Sequence, residues 1–191
     1  MSRACPHKPF LLVAVFAAVL SSTATPWASA QETTTDEADL WAPFRLLAGT
    51  WEGRIDGKLG TGRGVRRYEF ALDDLYLVVR HASVRLPQEK SPAGDYHREL
   101  AVYSHDRERD VIVLRDFKIE GYVLVYACEV EPKRFVCTTE HVESGPGWKA
   151  RLSVEVEDRY RMKETFELAP PGRDLEVYFT NAWTRVPDLA D

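Results

Sequence analysis

After the first thirty residues, the sequence has no apolar run approaching the ~20 residues that a membrane-spanning helix takes, and it therefore contains no candidate span in that region. It also lacks a basic surplus. The formal net charge is −5, and Arg3 and Lys8 are the only charges in the first 30 residues, so without them it becomes −7. The densest basic cluster, Arg63, Arg66 and Arg67, is followed at once by Glu69, Asp73 and Asp74. A nucleic-acid binder would present a clustered basic face, so that class is disfavoured. Helical periodicity is missing after Gly53, which argues against βαβ units and nucleotide-binding crossovers.

Catalytic and metal motifs are equally sparse. His81, His97, His105 and His141 are widely spaced and form no ligand motif such as H-E-x-x-H. No metal site is expected. There is no G-x-S-x-G elbow, and Gly60-x-Gly62-x-Gly64 lacks the strand-to-helix context of a phosphate loop. Cysteine is scarce, at three residues. Cys5 precedes the only long apolar stretch, where a lipoprotein cysteine would follow it.

That stretch belongs to a secretory signal. Arg3, His7 and Lys8 precede an apolar run from Phe10 to Leu20, and Ala28-Ser29-Ala30 is an A-x-A cleavage site before Gln31. Residues 1–30 therefore read as signal, 31–39 as a polar, acidic leader and 40–191 as one folded domain, exported to a periplasmic or extracellular space. Such a compartment is oxidising. Cys128 and Cys137 flank a turn at Pro132-Lys133, and a hairpin centred there sets them directly opposite each other. A Cys128–Cys137 disulfide is expected.

Downstream of a short apolar segment the pattern is period two, broken by turn residues. It gives ten strands at about 50–56, 65–73, 75–86, 97–105, 110–118, 121–131, 134–142, 148–157, 159–168 and 174–186. The one long connection, Pro87 to Asp95, has the character of a lid. Leu40, Trp41, Phe44 and Leu47 share one face of a short helix, capped by Asp39 or Asp36, that would plug one end. A long antiparallel meander removes its edges by closing, so the expected fold is an all-β up-and-down barrel of about ten strands.

Alternation separates the faces best near the C-terminus. Trp148, Ala150, Leu152, Val154 and Val156 point inward by parity, as do Tyr160, Met162, Glu164, Phe166 and Leu168. The last strand sets Leu175, Val177, Phe179, Asn181, Trp183 and Arg185 on the same side. A carboxylate on an apolar face needs a partner or a raised pKa. Glu164 is thus either a group that orients a ligand or half of a structural salt bridge to an inward arginine such as Arg66. Tyr160, Met162, Phe166 and Phe179 would cover a ligand's apolar body, with Asn181, Glu164 or Arg66 at its polar head.

The opening residues carry a resemblance. Leu46-Leu-Ala-Gly-Thr-Trp-Glu-Gly53, the following Gly-x-Gly segment, Arg67-Tyr-Glu-Phe70 and a closing Trp183-x-Arg185 resemble the calycin-like barrels. Among these the chain is most similar to nitrobindin and its bacterial relatives, over about residues 40–186. The resemblance implies a ten-stranded barrel in which Gly49 and Trp51 open the first strand and Arg185 packs on Trp51 as structural closure. It also brings haem into view, since nitrobindins hold ferric haem through a histidine of the last strand. Glu176 to Arg185 contains none, and Tyr178 is the only residue there of a type that ligates haem elsewhere.

The function expected is therefore an exported, non-enzymatic barrel that binds a small hydrophobic or amphipathic molecule, with no cofactor. The alternatives are a haem-binding nitrobindin-like protein, a cell-envelope enzyme using Glu164 as acid or base, and a filled barrel serving as an interaction module.

Overall fold

A computed structural model describes residues 39–187. The signal expected over 1–30, and all of the expected leader except Asp39, lie outside the described residues. Ten antiparallel strands follow one short helix: α1 (Ala42–Arg45), β1 (Gly49–Gly57), β2 (Gly60–Ala71), β3 (Tyr76–Arg85), β4 (Asp95–Asp106), β5 (Val111–Lys118), β6 (Val123–Glu131), β7 (Arg134–Glu143), β8 (Lys149–Val156), β9 (Arg161–Ala169) and β10 (Glu176–Arg185). Each strand pairs with its neighbours in sequence, and β1 pairs with β10 as well as β2, so the meander closes into a barrel.

Residue types account for most of this. Strand formers alternate with polar residues, and short polar turns join them. Asp106 accepts hydrogen bonds from the backbone N–H groups of Glu108 and Arg109, both at 3.2 Å, and Asp158 does the same for Tyr160 and Arg161 at 2.8 and 2.9 Å. The β6–β7 hairpin pairs Cys128 with Cys137, whose sulfurs are bonded at 2.01 Å.

Two departures from the period-two reading matter. The β2 strand starts at Gly60, well before residue 65, so Gly60, Gly62 and Gly64 lie inside it and face the interior. Their missing side chains leave room for larger ones: a Cβ on Gly53, which pairs with Gly64, would stand 2.4 Å from the Trp183 ring. The last strand carries a bulge. Pairing with β9 shifts between Val177 and Phe179, leaving Tyr178 as the extra residue. Val177 consequently turns outward and is exposed, although strict alternation had placed it inside.

One end of the barrel is plugged. Phe44, from the single turn of α1, stacks on Phe135 and tilts against Tyr103, with centroids 4.5 and 4.9 Å apart. Asp39 accepts a hydrogen bond from the Trp41 backbone N–H at 3.1 Å and lies just before the helix, whose N-cap is Trp41. Leu40, Trp41 and Leu47 flank the turn outside it. Behind the plug Trp51 is fully buried and donates its indole N–H to the Leu47 carbonyl at 2.7 Å. The Arg185 guanidinium lies 4.4 Å above the Trp51 ring and donates to the carbonyls of Leu46, Ala48 and Arg159. Gly49, at φ 116°, lets that guanidinium pass against the backbone.

Candidate functional site

The opposite half of the barrel is hollow. A cavity of about 360 Å³ runs from the buried middle of the lumen to a mouth between Arg85, Asp95, Glu120 and Trp148. That size is within the range of about 300–1,000 Å³ common for small-molecule sites. Its walls differ in chemistry. Tyr122, just before β6, Leu124 and Tyr126 of β6, Leu152 of β8, and Phe166 and Leu168 of β9 form an apolar side. The other side is a polar arc drawn from β9 and β10 and from β2 to β5.

The arc is a connected chain of charges. Asn181 donates its amide to Glu164 at 2.7 Å, and Glu164 forms an ion pair with Arg66 through both carboxylate oxygens. The Arg66 guanidinium also donates to Tyr68 and to Nδ1 of His81, and lies 3.7 Å from Glu99. Glu99 takes the Lys118 ammonium at 2.5 Å and His97 at 3.2 Å. Lys118 is shared with Asp116 at 2.6 Å. All of these side chains point inward because each lies an even number of residues from its neighbour on the same strand: His97 and Glu99 on β4, Asp116 and Lys118 on β5.

Burial and proximity set their protonation. Burial opposes the charge of Lys118, yet Asp116 and Glu99 hold its ammonium well above the usual lysine range. Burial also opposes ionisation of Glu99, but Lys118 and the His97 hydrogen bond keep its carboxyl well below the usual value. Asp116 goes the other way: burial and the nearby Glu99 carboxylate raise it to about 6. His81 is neutral, pushed down to about 3 by burial and the Arg66 charge. His97, bonded to Glu99, is raised.

Hydrogen bonding inside is incomplete. Among the described residues, the buried atoms without a partner are Asp116 Oδ1, Asn181 Oδ1, Arg85 Nε and Trp183 Nε1. A buried polar atom without a partner costs about 1–3 kcal/mol, and three of these four atoms, all but the Trp183 nitrogen, sit on side chains of the cavity wall.

Of the residues singled out from sequence, Glu164, Asn181, Arg66, Phe166 and Phe179 line this cavity. Met162 lies in the packed core on the plug side, and Tyr160 is in the turn before β9, half exposed beneath the Arg159 guanidinium. Gly49, Trp51 and Arg185 are at the plugged end. Arg80 and Arg115 point outward, toward Glu69 and Ser104. The connection between β3 and β4 is pinned at the rim by Gln88, which bonds both backbone groups of Thr61 at 2.7 and 2.8 Å, and residues 87–94 do not line the cavity. Sequence reasoning missed Glu99, Asp116 and Lys118; it noted His81 and His97, whose facing it left unassigned and whose rings lie 6.4 Å apart.

The barrel is similar to the crystal structure of Rv2717c from M. tuberculosis, with a TM-score of 0.59 and 13% identity, over 78% of this chain and 99% of that one. The likeness is one of fold. No family model and no curated protein matches the chain.

Haem would need an axial donor facing the lumen. From β10 the lumen receives Tyr178, Phe179 and Asn181, and the Tyr178 ring packs edge-on against Phe166 and Phe179. Both ring nitrogens of His97 face carboxylates, Glu99 at 3.2 Å and Glu120 at 3.4 Å. His81 is wedged between Arg66 and the edge of Trp183. This donor set does not fit a histidine-ligated haem. Among the described residues no group of three or more His, Cys, Asp or Glu is placed to hold a metal ion, and no helix is long and apolar enough to cross a membrane.

Proposed function

We propose that this protein binds a small amphipathic molecule in its lumen and performs no chemistry on it. The observation that carries this reading is the two-sided cavity: an apolar wall faces a charged arc in which buried oxygens of Asp116 and Asn181 have no partner. A filled structural barrel would close such space with side chains, because interiors pack to crystal density. The inward residues Leu152, Phe166, Leu168 and Phe179 are instead only half-buried, which leaves apolar surface for a guest. Glu164 is engaged by Arg66 and Asn181, which supports a structural and positioning role over that of a free general base.

Export is part of the same proposal. The signal-like residues 1–30 and the bonded pair Cys128–Cys137 support it. Kinship with nitrobindin-type barrels is proposed on the opening Gly49-x-Trp51 motif, on its contact with Arg185 and on the fold shared with Rv2717c. Native mass spectrometry of protein recovered from its own export compartment tests the reading. A mature chain starting near Gln31 and carrying a small organic adduct is expected. Repeated recovery of protein with an empty lumen that also binds no amphipathic molecule added in vitro would count against it.

A further inference from the structure

The charges inside the lumen do not balance, and the imbalance says what kind of head group belongs there. Two cations, Arg66 and Lys118, face three carboxylates, Glu164, Glu99 and Asp116. Pairs nearer the mouth leave the count unchanged, because Arg85 is matched by Asp95 at 2.8 Å and His97 by Glu120 at 3.4 Å. Both deep cations are committed. Arg66 spends its donors on Glu164, Tyr68 and His81, and Lys118 divides its ammonium between Glu99 and Asp116. The carboxylates are not equally served, since Asp116 Oδ1 has no partner.

Position sharpens the point. Asp116 pairs across the β5–β6 ladder with Leu124, the first residue of the apolar wall beside it. Asn181 pairs with Glu164, and two residues along the same strands Phe179 pairs with Phe166. The two unpartnered oxygens thus stand at the two seams where the polar arc meets the apolar wall. A molecule lying on that wall brings its head to an acceptor at either seam. A carboxylate or phosphate head would find the deep cations already taken and would add to a negative surplus. An ammonium or amidinium head would supply the missing charge and the missing donors.

We propose that the lumen takes a small amphipathic cation, a primary amine or amidine whose head group sits on Asp116 and whose apolar body lies along Leu124, Leu152 and Phe166. The inference rests on the lumen being a binding site, and it adds the sign of the head group.

Calorimetric titration at neutral pH with octylamine, octanol and octanoate separates the two. Octylamine should bind at least about tenfold tighter than octanol, since a hydrogen-bonded charge pair away from water is worth that much or more, and octanoate should bind more weakly than both. Asp116→Asn should bring octylamine down to about the affinity of octanol, and continued binding of octanol shows that the lumen is intact. If octanoate binds as tightly as octylamine, or if Asp116→Asn leaves octylamine unaltered while octanol still binds, the cation inference falls and the binding reading stands. If none of the three binds the wild-type protein, both fall.

Discussion

Arg66 and Glu164 are joined by a buried ion pair, although β1 and β10 separate the strands that carry them. The pair is therefore a strut across the lumen, and the Arg66 guanidinium also lies 4.6 Å above the Trp183 ring. Removing the Glu164 charge leaves the buried Arg66 guanidinium only the longer contact to Glu99, at 3.7 Å. Glu164→Gln should destabilise the barrel by about 3–5 kcal/mol in equilibrium urea unfolding. Replacing both, with Arg66→Met and Glu164→Leu, should recover much of that. A single-variant loss below about 1 kcal/mol would mean that the pair is solvated like a surface one.

Trp183 takes the space that Gly53 leaves empty, and a Cβ there would stand 2.4 Å from the indole. The ring is fully buried and cannot swing aside without leaving a void. Gly53→Ala is expected to cost about 1–3 kcal/mol by overpacking and to alter the near-ultraviolet circular dichroism of the tryptophans. An unchanged spectrum together with an unchanged melting temperature would contradict this packing.

His81 should make the fold acid-sensitive. Its folded pKa, about 3, is below the ordinary 6.5 because burial, the charges of Arg66 and Lys118, and His97 outweigh Glu99. The unfolded chain takes up the proton that the fold refuses, so the stability tied to His81 is complete above 6.5 and is lost as pH falls from there toward 3. Asp116 acts in the opposite sense. Its folded value of about 6 exceeds 3.8, so acid stabilises the fold through that group between those values. Comparing wild type with His81→Gln isolates the histidine. Between neutral pH and about pH 4 the wild type should lose about 3 kcal/mol more than the variant. Parallel pH profiles would show that His81 is protonated in the fold.

The hairpin disulfide closes a short loop, with Cys128 and Cys137 nine positions apart. Cross-linking so few residues restricts the unfolded chain by about 2–3 kcal/mol. Cys128→Ser with Cys137→Ser should lower stability by that amount in denaturant unfolding and leave the m-value nearly unchanged. No difference between the double variant and the oxidised wild type would show that the bond contributes nothing.

The barrel was legible in the sequence because ten strands alternate and turn where glycine, proline and aspartate fall, and because Gly49-x-Trp51 and Arg185 mark its closure. Glu164 and Asn181 were legible for a related reason: they interrupt an otherwise apolar face. The other half of the arc was not, because β4 and β5 reverse the usual rule. Leu100 and Phe117, paired with each other, face outward and are exposed, while His97, Glu99, Asp116 and Lys118 face inward. Hydrophobicity alone orients such strands backwards. The signal present was the spacing, a pair of charged or titratable residues two apart on each of two adjacent strands, His97-x-Glu99 and Asp116-x-Lys118. The bulge at Tyr178 was invisible for another reason. It depends on pairing with β9 and leaves no mark in composition.

The lumen can be tested by filling it. Leu152 points inward, lines the cavity and is only half-buried, so a larger side chain there has space to enter without displacing the core. Calorimetric titration of octanol into wild-type protein and Leu152→Trp, with circular dichroism to show that both are folded, is the most direct measurement. One molecule should bind the wild type, and binding to the folded variant should fall by at least about tenfold. Equal binding to both proteins would place the site outside the barrel and contradict the account.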